Sequence, residues 1–389
     1  MTAQATVPFF SGSASLRREW PALEARLRKI AATGRFTSGD TVAELEAALC
    51  DYTGADRAVV VNSGTDALVL MLRALGVGPG DEVVVPAYSF FATASAVVHT
   101  GAEPVYADIL PGSYALDPER LAAAITDRTR AVMPVHLFNQ PADMARINAV
   151  AERHGIAVIE DSAEAIGMRP GGVHAGLLGR AGALSFFPTK TLGAVGDAGA
   201  VITDDAAIAE RVRRMRSHGQ DVDGSYRHVE LGCNARADEV QAAVLLTRLA
   251  HLDEDIRRRA AIAEHYTREL SALAPLVATP RAVAPNRRED LVWYVYLIET
   301  DRRDALVAHL AEAGVETETY YPRPLPHQPC LADRPGNRHP VPVAEASAAR
   351  AVALPLYPDL TDAQVDHVCA SVRSFHLSAA AASAQGGPR

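Results

Sequence analysis

The sequence predicts an α/β protein with a large domain built on a mostly parallel sheet and a small C-terminal α+β domain. From residue 57 to about residue 203, short β-branched runs alternate with stretches whose apolar residues recur at helical spacing. That alternation is typical of βαβ units, in which helices cover both faces of a parallel sheet. The 389 residues also exceed the ~250–300 at which a single core stops growing, so two domains are expected.

Two helices are predicted ahead of the sheet, one that ends at Gly34 and one over residues 41–54. Five apolar runs then predict strands. Ligands of such sheets bind at the carboxyl ends of the strands, so the residues directly after each run are the first candidates for a site. The runs are RAVVVN at 57–62, DEVVVP at 81–86, EPVYADI at 103–109, RAVMPVHLF at 130–138 and IAVIEDS at 156–162.

A long helical tract over 237–274 is predicted to break near Leu252 and to lead into the second domain. That domain is predicted as strand, helix, strand, proline-rich loop and a last helix near 362–374. Its two strands are the runs VWYVYLIET at 292–300 and VETETYY at 315–321. We therefore expect a large domain over 1–250, a small domain over 251–376 and a disordered, low-complexity tail over 377–389.

Composition excludes several classes of partner. The net charge of −9 argues against nucleic acid or an anionic membrane surface as the main partner. No apolar run approaches the ~20 residues that a bilayer span needs, and no signal peptide is indicated at the N-terminus. The four cysteines are widely spaced and the histidines show no metal-ligand spacing, so reduced thiols in the cytoplasm and no metal site are expected.

Only two of the 38 basic residues are lysines, Lys29 and Lys190. Lys29 lies in a charged helical stretch, whereas no other charge occurs around Lys190 from Ala181 until Asp197. A lysine amine can lose its proton and form a Schiff base, which a guanidinium cannot do. The apolar segment predicts a partly desolvated amine with a lowered pKa. The alternative is an ordinary solvated loop lysine.

Two further segments follow predicted strands. In VVVNSGTDAL a strand ends, a Ser63-Gly64-Thr65 turn follows and a helix begins, which suits a phosphate group at the helix N-terminus. The alternative there is an ordinary helix cap. In IAVIEDSAEAIG, Glu160 and Asp161 end an apolar strand, and an aspartate there can hold the protonated ring nitrogen of pyridoxal phosphate (PLP). The alternative is a capping or salt-bridged acid.

With these segments in order, the sequence resembles the DegT/DnrJ/EryC1/StrS family of PLP-dependent sugar aminotransferases, from about residue 34 to residue 372. The resemblance implies the aspartate-aminotransferase fold, known as fold type I. Walker A, dinucleotide-binding, HExxH and GxSxG motifs do not occur. The motifs that carry the resemblance are GRFTSGDTVAELEAAL, NSGTDAL, PAYSFFATASAV, VIEDSAEAIG, SFFPTKTLGAVGDAGAV, GCNARADEVQAA, YYPRPLPHQP and LPLYPDLTDAQ.

The resemblance implies a role for each matching residue. Lys190 would be the Schiff-base lysine and Asp161 the partner of the pyridinium nitrogen. Asn234 would reach the phosphate of the other subunit, which implies a homodimer with shared active sites, and Arg236 would shape the same loop. The further implied contacts are Gly64, Thr65 and Ser185 to the phosphate, Phe90 stacked on the ring, Glu164 near the ring hydroxyl, and Tyr320, Tyr321 and His327 at the substrate.

Two positions depart from the family pattern. Glu164 stands where the family usually has glutamine, so we expect a changed hydrogen bond to the cofactor. An extra proline, Pro326, precedes His327, which puts the substrate role of that histidine in doubt.

The segment SFFPTKTLGAVGDAGA resembles that of relatives acting on 3-ketosugars, with Phe187 in place of the histidine of many 4-ketosugar enzymes. The implied reaction is transamination of a dTDP- or UDP-linked 3-keto-6-deoxyhexose with L-glutamate, for amino-sugar and antibiotic biosynthesis. The alternatives are a 4-ketosugar enzyme, a keto-cyclitol aminotransferase of the scyllo-inosose type and a non-catalytic regulator. Lys190 argues against a sugar dehydratase of this family, in which histidine replaces the lysine.

Overall fold

The computed structural model of the protein describes residues 6–221 and 226–385. Its helices are α1 (Ser13–Thr33), α2 (Asp40–Thr53), α3 (Gly64–Ala74), α4 (Phe91–His99), α5 (Pro118–Ala124), α6 (Met144–His154), α7 (Ala206–Met215), α8 (Glu239–Leu249), α9 (Leu252–Leu270), α10 (Arg303–Glu312), α11 (Pro342–Arg350) and α12 (Asp362–Gln385). Its strands are β1 (Arg57–Val61), β2 (Glu82–Pro86), β3 (Glu103–Ala107), β4 (Thr129–Val132), β5 (Ala157–Val158), β6 (Glu160–Asp161), β7 (Gly182–Ser185), β8 (Gly199–Thr203), β9 (Tyr296–Glu299) and β10 (Ala351–Leu354).

The strands of the large domain form one mostly parallel layer in the order β3-β2-β4-β5 followed by β6-β7-β8-β1. β5 and β6 are successive parts of one extended segment interrupted at Ile159, so the two sheets meet along it. All pairs are parallel except those of β8 with β7 and with β1. The α/β fold predicted for this region is confirmed, with β8 as the antiparallel strand.

The direction of the strands brings several loops to one edge of this layer. Val61 at the end of β1 and Ser185 at the end of β7 both pair with Gly199. β6 runs parallel to β7, so Asp161 ends at the same edge. Residues that follow these three strands are therefore neighbours in space, although they are far apart in the sequence.

Helix ends follow the local sequence. α1 and α2 both end at glycines, Gly34 and Gly54, whose φ angles of 66° and 83° lie in the left-handed region. Ser63 begins α3, where its hydroxyl accepts a hydrogen bond from the N–H of Asp66. The predicted break near Leu252 is confirmed, because α8 ends at Leu249 and α9 starts at Leu252.

The small domain has its own hydrophobic core, which includes Ile262, Tyr266, Tyr296, Leu306 and Val368. Its two-stranded sheet differs from the prediction, because β9 pairs with β10. The segment 315–321, predicted as a strand, forms only isolated bridges at its Val315 and Glu318.

The difference has a physical reason. All four residues of β10 are buried, whereas Glu316 and Glu318 in the segment 315–321 are exposed. A core strand does not accommodate unpaired carboxylates, because their desolvation costs too much. The apolar run of β10 therefore takes the place beside β9.

The last helix runs into the predicted C-terminal tail, whose disorder stays a prediction. α12 continues through Gln385, into the segment 377–389 for which low complexity predicts disorder. Alanine has the highest helix propensity, which accounts for the continuation. Residues 386–389 of the predicted tail lie outside the described residues, and the boundaries at 250 and 376 stay predictions. None of the helices in the described part of the chain has the length and apolar character that a bilayer span requires.

Candidate active site

A cavity of about 400 Å³ opens at the edge of the large sheet where β1, β6 and β7 end. Its walls come from these strand ends, from the start of α4 and from two segments of the small domain, at Tyr294 and at Tyr320–Tyr321. The cavity brings together nine of the residues that the sequence predicts for the site. They are Gly64, Thr65, Phe90, Asp161, Glu164, Ser185, Lys190, Tyr320 and Tyr321.

One end of the cavity is suited to an anion. The first N–H groups of α3 have no partner within the helix and carry the positive end of its dipole. Gly64 packs so closely on β7 that a Cβ atom there would lie 2.7 Å from the Cβ of Ser185. The absence of a side chain lets the helix terminus and the Ser185 hydroxyl face the same space, and a phosphate group fits that cradle.

Asp161 lines the cavity at the end of β6 and is buried. Its Oδ2 accepts a hydrogen bond of 2.7 Å from the Thr93 hydroxyl, and its Oδ1 accepts one of 3.2 Å from the N–H of Ala163. Burial raises the pKa of Asp161, while these two hydrogen bonds oppose the rise by stabilising the carboxylate. A cationic ring nitrogen beside it would favour the ionised form further.

Thr93 was missed by the sequence reasoning. It lies on α4, within the PAYSFFATASAV motif, and is fully buried. Because its one hydroxyl proton goes to Asp161, the Ser89 hydroxyl 2.8 Å away must donate to Thr93. The signal in the sequence was a pair of hydroxyl residues one helical turn apart beside the predicted ring-stacking position.

Lys190 faces a carboxylate and an aromatic ring. Its Nζ lies 3.0 Å from Oε1 of Glu164 and 4.3 Å from the centre of the Tyr294 ring. Burial disfavours its charge, but Glu164, Tyr294 and Asp161 together outweigh burial and raise the pKa of Lys190. The prediction of a lowered pKa is therefore wrong for the chain without cofactor, because the segment's lack of charge says nothing about carboxylates from other segments.

Glu164 uses both of its carboxylate oxygens. Oε1 accepts from Lys190, and Oε2 accepts a hydrogen bond of 2.7 Å from the N–H of Phe138. The side chain is buried, so the carboxylate has a fixed orientation. Tyr294, whose hydroxyl lies 3.1 Å from that of Thr189, was read in the sequence only as part of a strand.

Aromatic side chains form the remaining wall. The Phe90 ring is 57% exposed and its centre lies 6.1 Å from that of Tyr321, which stacks on Phe138 at 6.0 Å. Tyr320 lies beside Tyr321, with ring centres 5.3 Å apart. Burial raises the pKa values of both tyrosines, so their hydroxyls stay protonated at neutral pH and can donate hydrogen bonds.

Three predicted residues do not line this cavity. Asn234 is exposed and pairs through its backbone with Ser217, and Arg236 forms a backbone bridge with Val61. The His327 imidazole lies 3.4 Å from a carboxylate oxygen of Glu345. Their predicted roles stay predictions. From the sequence we expect the segments 216–233 and 318–330 to select the sugar and its nucleotide, and residues 222–225 of the first lie outside the described residues.

The arrangement fits pyridoxal phosphate. The cavity is lined by an anion cradle, a buried carboxylate and a lysine, which match the phosphate, ring nitrogen and aldehyde of that cofactor. Across the described ranges, no group of three or more His, Cys, Asp or Glu side chains is placed to hold a metal ion.

The model of the DegT/DnrJ/EryC1/StrS aminotransferase family matches residues 21–373. The chain belongs to this family. It is a PLP-dependent aminotransferase, an enzyme that transfers nitrogenous groups.

Solved structures share the fold over almost the whole chain. The crystal structure of S. venezuelae DesV in complex with a ketimine intermediate has a TM-score of 0.90 and 40% identity, covering 95% of this chain and 98% of that chain. The structure of NtdA from Bacillus subtilis with bound cofactor PMP has a TM-score of 0.88 and 32% identity, covering 96% of this chain and 85% of that chain. The fold is therefore that of the fold type I aminotransferases.

Curated relatives are similar over the same length. A dTDP-3-amino-3,4,6-trideoxy-alpha-D-glucose transaminase of Streptomyces venezuelae is 41% identical over 95% of this chain and 96% of the relative. A UDP-2-acetamido-2-deoxy-3-oxo-D-glucuronate aminotransferase of Pseudomonas aeruginosa is 40% identical over 90% and 95%. A protein of Geobacillus stearothermophilus named as a pleiotropic regulatory protein is 42% identical over 95% and 98%.

Proposed function

We propose that the enzyme transfers the amino group of L-glutamate to a nucleotide-linked 3-ketosugar, with a dTDP- or UDP-3-keto-6-deoxyhexose as the acceptor. The observation that carries the proposal is the cavity in which Lys190 lies among the predicted cofactor contacts, with Phe187 on its wall. Relatives named for 3-amino and 3-oxo sugars support the position of the keto group.

The chain's own side chains would divide the work. The N-terminus of α3 and the Ser185 hydroxyl would bind the phosphate, and Asp161 would keep a proton on the ring nitrogen. When bound, PLP supplies an electron-poor ring that stabilises negative charge on the carbon carrying the amino group.

Lys190 would act twice, through the same atom. Its Nζ would hold the cofactor, and the free amine would take the proton from the α-carbon of the donor as a general base. Glu164, 3.0 Å from Nζ, would stabilise the ammonium that results. The ammonium would then give this proton, as a general acid, to the carbon of the cofactor that had carried the aldehyde, so that the amino group stays with the cofactor.

Phe187 supports an acceptor with its keto group at C3. The side chain lines the cavity, is 50% exposed and carries no hydrogen-bonding group. The histidine that many 4-ketosugar enzymes have here would offer a donor or acceptor at this point of the wall. An apolar ring favours a sugar that presents its carbonyl elsewhere.

Absorption spectra of purified protein with added PLP test the cofactor, and Lys190→Ala tests the lysine. The wild-type protein should show the band of lysine-bound PLP, and L-glutamate should convert it to the amino form of the cofactor. Lys190→Ala should lose this band and reduce transamination by about 10²–10⁴-fold or more, as expected for removal of a general base.

The matched control is Lys29→Ala, which removes the chain's other lysine, an exposed residue of α1. It should leave both the spectrum and the turnover unchanged. Retained turnover in Lys190→Ala would refute the assignment of the lysine.

A donor-by-acceptor assay separates the candidate reactions. The proposal expects glutamate with a nucleotide 3-ketosugar to turn over fastest, ahead of a 4-ketosugar and of glutamine with a keto-inositol. A regulator, the class named for one relative, would turn over none of these pairs. Turnover of the keto-inositol alone would replace the sugar assignment by the cyclitol alternative.

A further inference from the structure

Tyr88 lies behind the aromatic wall of the cavity. It follows the end of β2 and is fully buried. Its neighbours Ser89 and Phe90 line the cavity, and Tyr88 does not. The side chain therefore has no contact with a bound substrate.

The Tyr88 hydroxyl binds both polar atoms of a single peptide group. It donates a hydrogen bond of 2.5 Å to the carbonyl oxygen of Tyr320 and accepts one of 2.6 Å from the N–H of Tyr321. Burial raises the pKa of Tyr88, so the phenol keeps the proton that it donates. One side chain thereby fixes the peptide that joins two residues of the cavity wall.

The same segment is tied to the large domain at a second point. The N–H of Leu325 donates to the carbonyl oxygen of Ala87, at 2.8 Å. Upstream, Glu318 forms a bridge with Ala353 of the small-domain sheet. Residues 318–325 thus run from the small domain to the end of β2, and Tyr88 holds the part of this run that faces the cavity.

The peptide's position decides where the two rings of the wall stand. Tyr321 packs on Phe138 and lies 6.1 Å from Phe90 between ring centres. Tyr320 packs edge-to-face on Phe9, 5.8 Å away. Rings that are held from both sides give the cavity a fixed shape, and a fixed shape lowers the entropy lost when a bulky ligand binds.

We propose that Tyr88 is a positioning residue that sets the enzyme's affinity for its amino acceptor by fixing the peptide between Tyr320 and Tyr321. The inference rests on the proposed function, because it assigns this wall to the acceptor. A ketosugar with its nucleotide is larger than glutamate and contacts more of the cavity wall. Among the predicted cofactor contacts Phe90 lies beside this wall, whereas those to the phosphate and the ring nitrogen come from α3, β6 and β7. The clamp, meaning the two hydrogen bonds of Tyr88 to this peptide, is therefore separate from the phosphate and ring-nitrogen contacts.

The test is Tyr88→Phe, which keeps the ring and removes both hydrogen bonds. In steady-state assays the KM for the acceptor should rise about tenfold, the size expected for loss of one or two hydrogen bonds. The kcat and the KM for glutamate should stay within about twofold of the wild-type values, a smaller change than the loss of one hydrogen bond would cause. The absorption spectrum with PLP should be unchanged. Amide hydrogen exchange should speed up at Tyr321, because its N–H loses its acceptor.

The matched control is Tyr114→Phe, which removes another buried tyrosine hydroxyl, bonded to Glu299 at 2.8 Å and stacked on Tyr88. It should leave the acceptor KM and the exchange at Tyr321 unchanged. An unchanged acceptor KM in Tyr88→Phe, or an equal rise in both KM values, would overturn the inference.

The acceptor in this test is whichever one the wild-type protein aminates in the donor-by-acceptor assay. If the wild-type protein aminates only a keto-inositol, the sugar assignment fails while the comparison of Tyr88→Phe with wild type still stands. Failure of the proposed function and failure of the clamp therefore give different results.

Discussion

The amine of Lys190 is held by groups from separate parts of the chain. Glu164 accepts its hydrogen bond at 3.0 Å, and Tyr294 presents its ring at 4.3 Å. These neighbours favour the ammonium over the free amine, although burial works in the opposite direction. The protonation state of Lys190 therefore depends on Glu164, at a position where the family resemblance leads us to expect glutamine.

Glu164→Gln should shift the pH dependence of cofactor uptake. The change keeps the shape of the side chain but removes its charge, so burial dominates and the pKa of Lys190 falls. Covalent attachment needs the uncharged amine, so uptake speeds up as the pH rises through that pKa. The midpoint should move to lower pH by about 1–3 units, the size typical of a lost neighbouring charge.

The measurement is the rate at which the lysine-bound band grows after PLP is added to apoprotein over a pH series. Glu345→Gln, which removes an exposed carboxylate near His327, is the control and should keep the wild-type midpoint. A midpoint in Glu164→Gln that equals the wild-type value would show that Glu164 does not control the amine.

At the scale of elements, the site depends on the close approach of α3 to β7. β7 lies inside the sheet, between β6 and β8, so its hydrogen bonds to both neighbours prevent it from moving away from α3. Gly64 is the contact point, and Gly199 on β8 packs equally closely on the backbone of Ser63. The close contacts of these two glycines therefore fix the position of the first residues of α3 relative to the cavity.

Gly64→Ala should weaken cofactor binding. The new methyl group would lie 2.7 Å from the Cβ of Ser185 and would displace the start of α3 from the cradle. We expect the Kd for PLP to rise about 10- to 100-fold, in line with the usual cost of overpacking. Titration of PLP into apoprotein, followed by absorption, measures this change.

Gly78→Ala serves as the control for a glycine-to-alanine change. Its Cβ would meet only the carbonyl oxygen of Thr100, at 4.0 Å, so the Kd should stay at the wild-type value. Equal Kd values for wild type and Gly64→Ala would mean that the helix terminus does not hold the phosphate.

At the scale of the whole molecule, the cavity lies where the two domains meet and opens to the surface. Phe90 and Phe187 line it and are each at least half exposed, at 57% and 50%. Asn234, which the family resemblance assigns to the phosphate of another subunit, is exposed and outside the cavity of its own chain. A homodimer in which each subunit completes the site of its partner stays a proposal, which follows from the family resemblance.

Mixing two inactive variants tests this arrangement. In a heterodimer of Asn234→Ala and Lys190→Ala, one site carries both changes and the other carries neither. Activity should therefore recover toward half of the wild-type value per hybrid dimer, and light scattering should give twice the chain mass. Mixtures that stay as inactive as their parents would count against sharing.

Much of the fold could be predicted because the spacing of apolar residues along the chain reflects which side chains are buried. Apolar runs separated by helical stretches predicted the parallel layer, and the carboxyl ends of its strands carry the site. The segment 315–321 was predicted as a strand because its pattern alternates, but it forms only single bridges, from Val315 to Val7 and from Glu318 to Ala353 of β10. Local pattern does not report which segments pair over a longer stretch.

Pattern and motifs were enough to predict the α/β architecture, the family and most of the residues that line the cavity. The partners of these residues became evident only in the folded chain: Glu164 at Lys190, Thr93 at Asp161, and Tyr88 at the peptide between Tyr320 and Tyr321. The physical reason is that these partners come from segments far apart in the chain. Their charges and hydrogen bonds act through distances that exist only once the chain has folded.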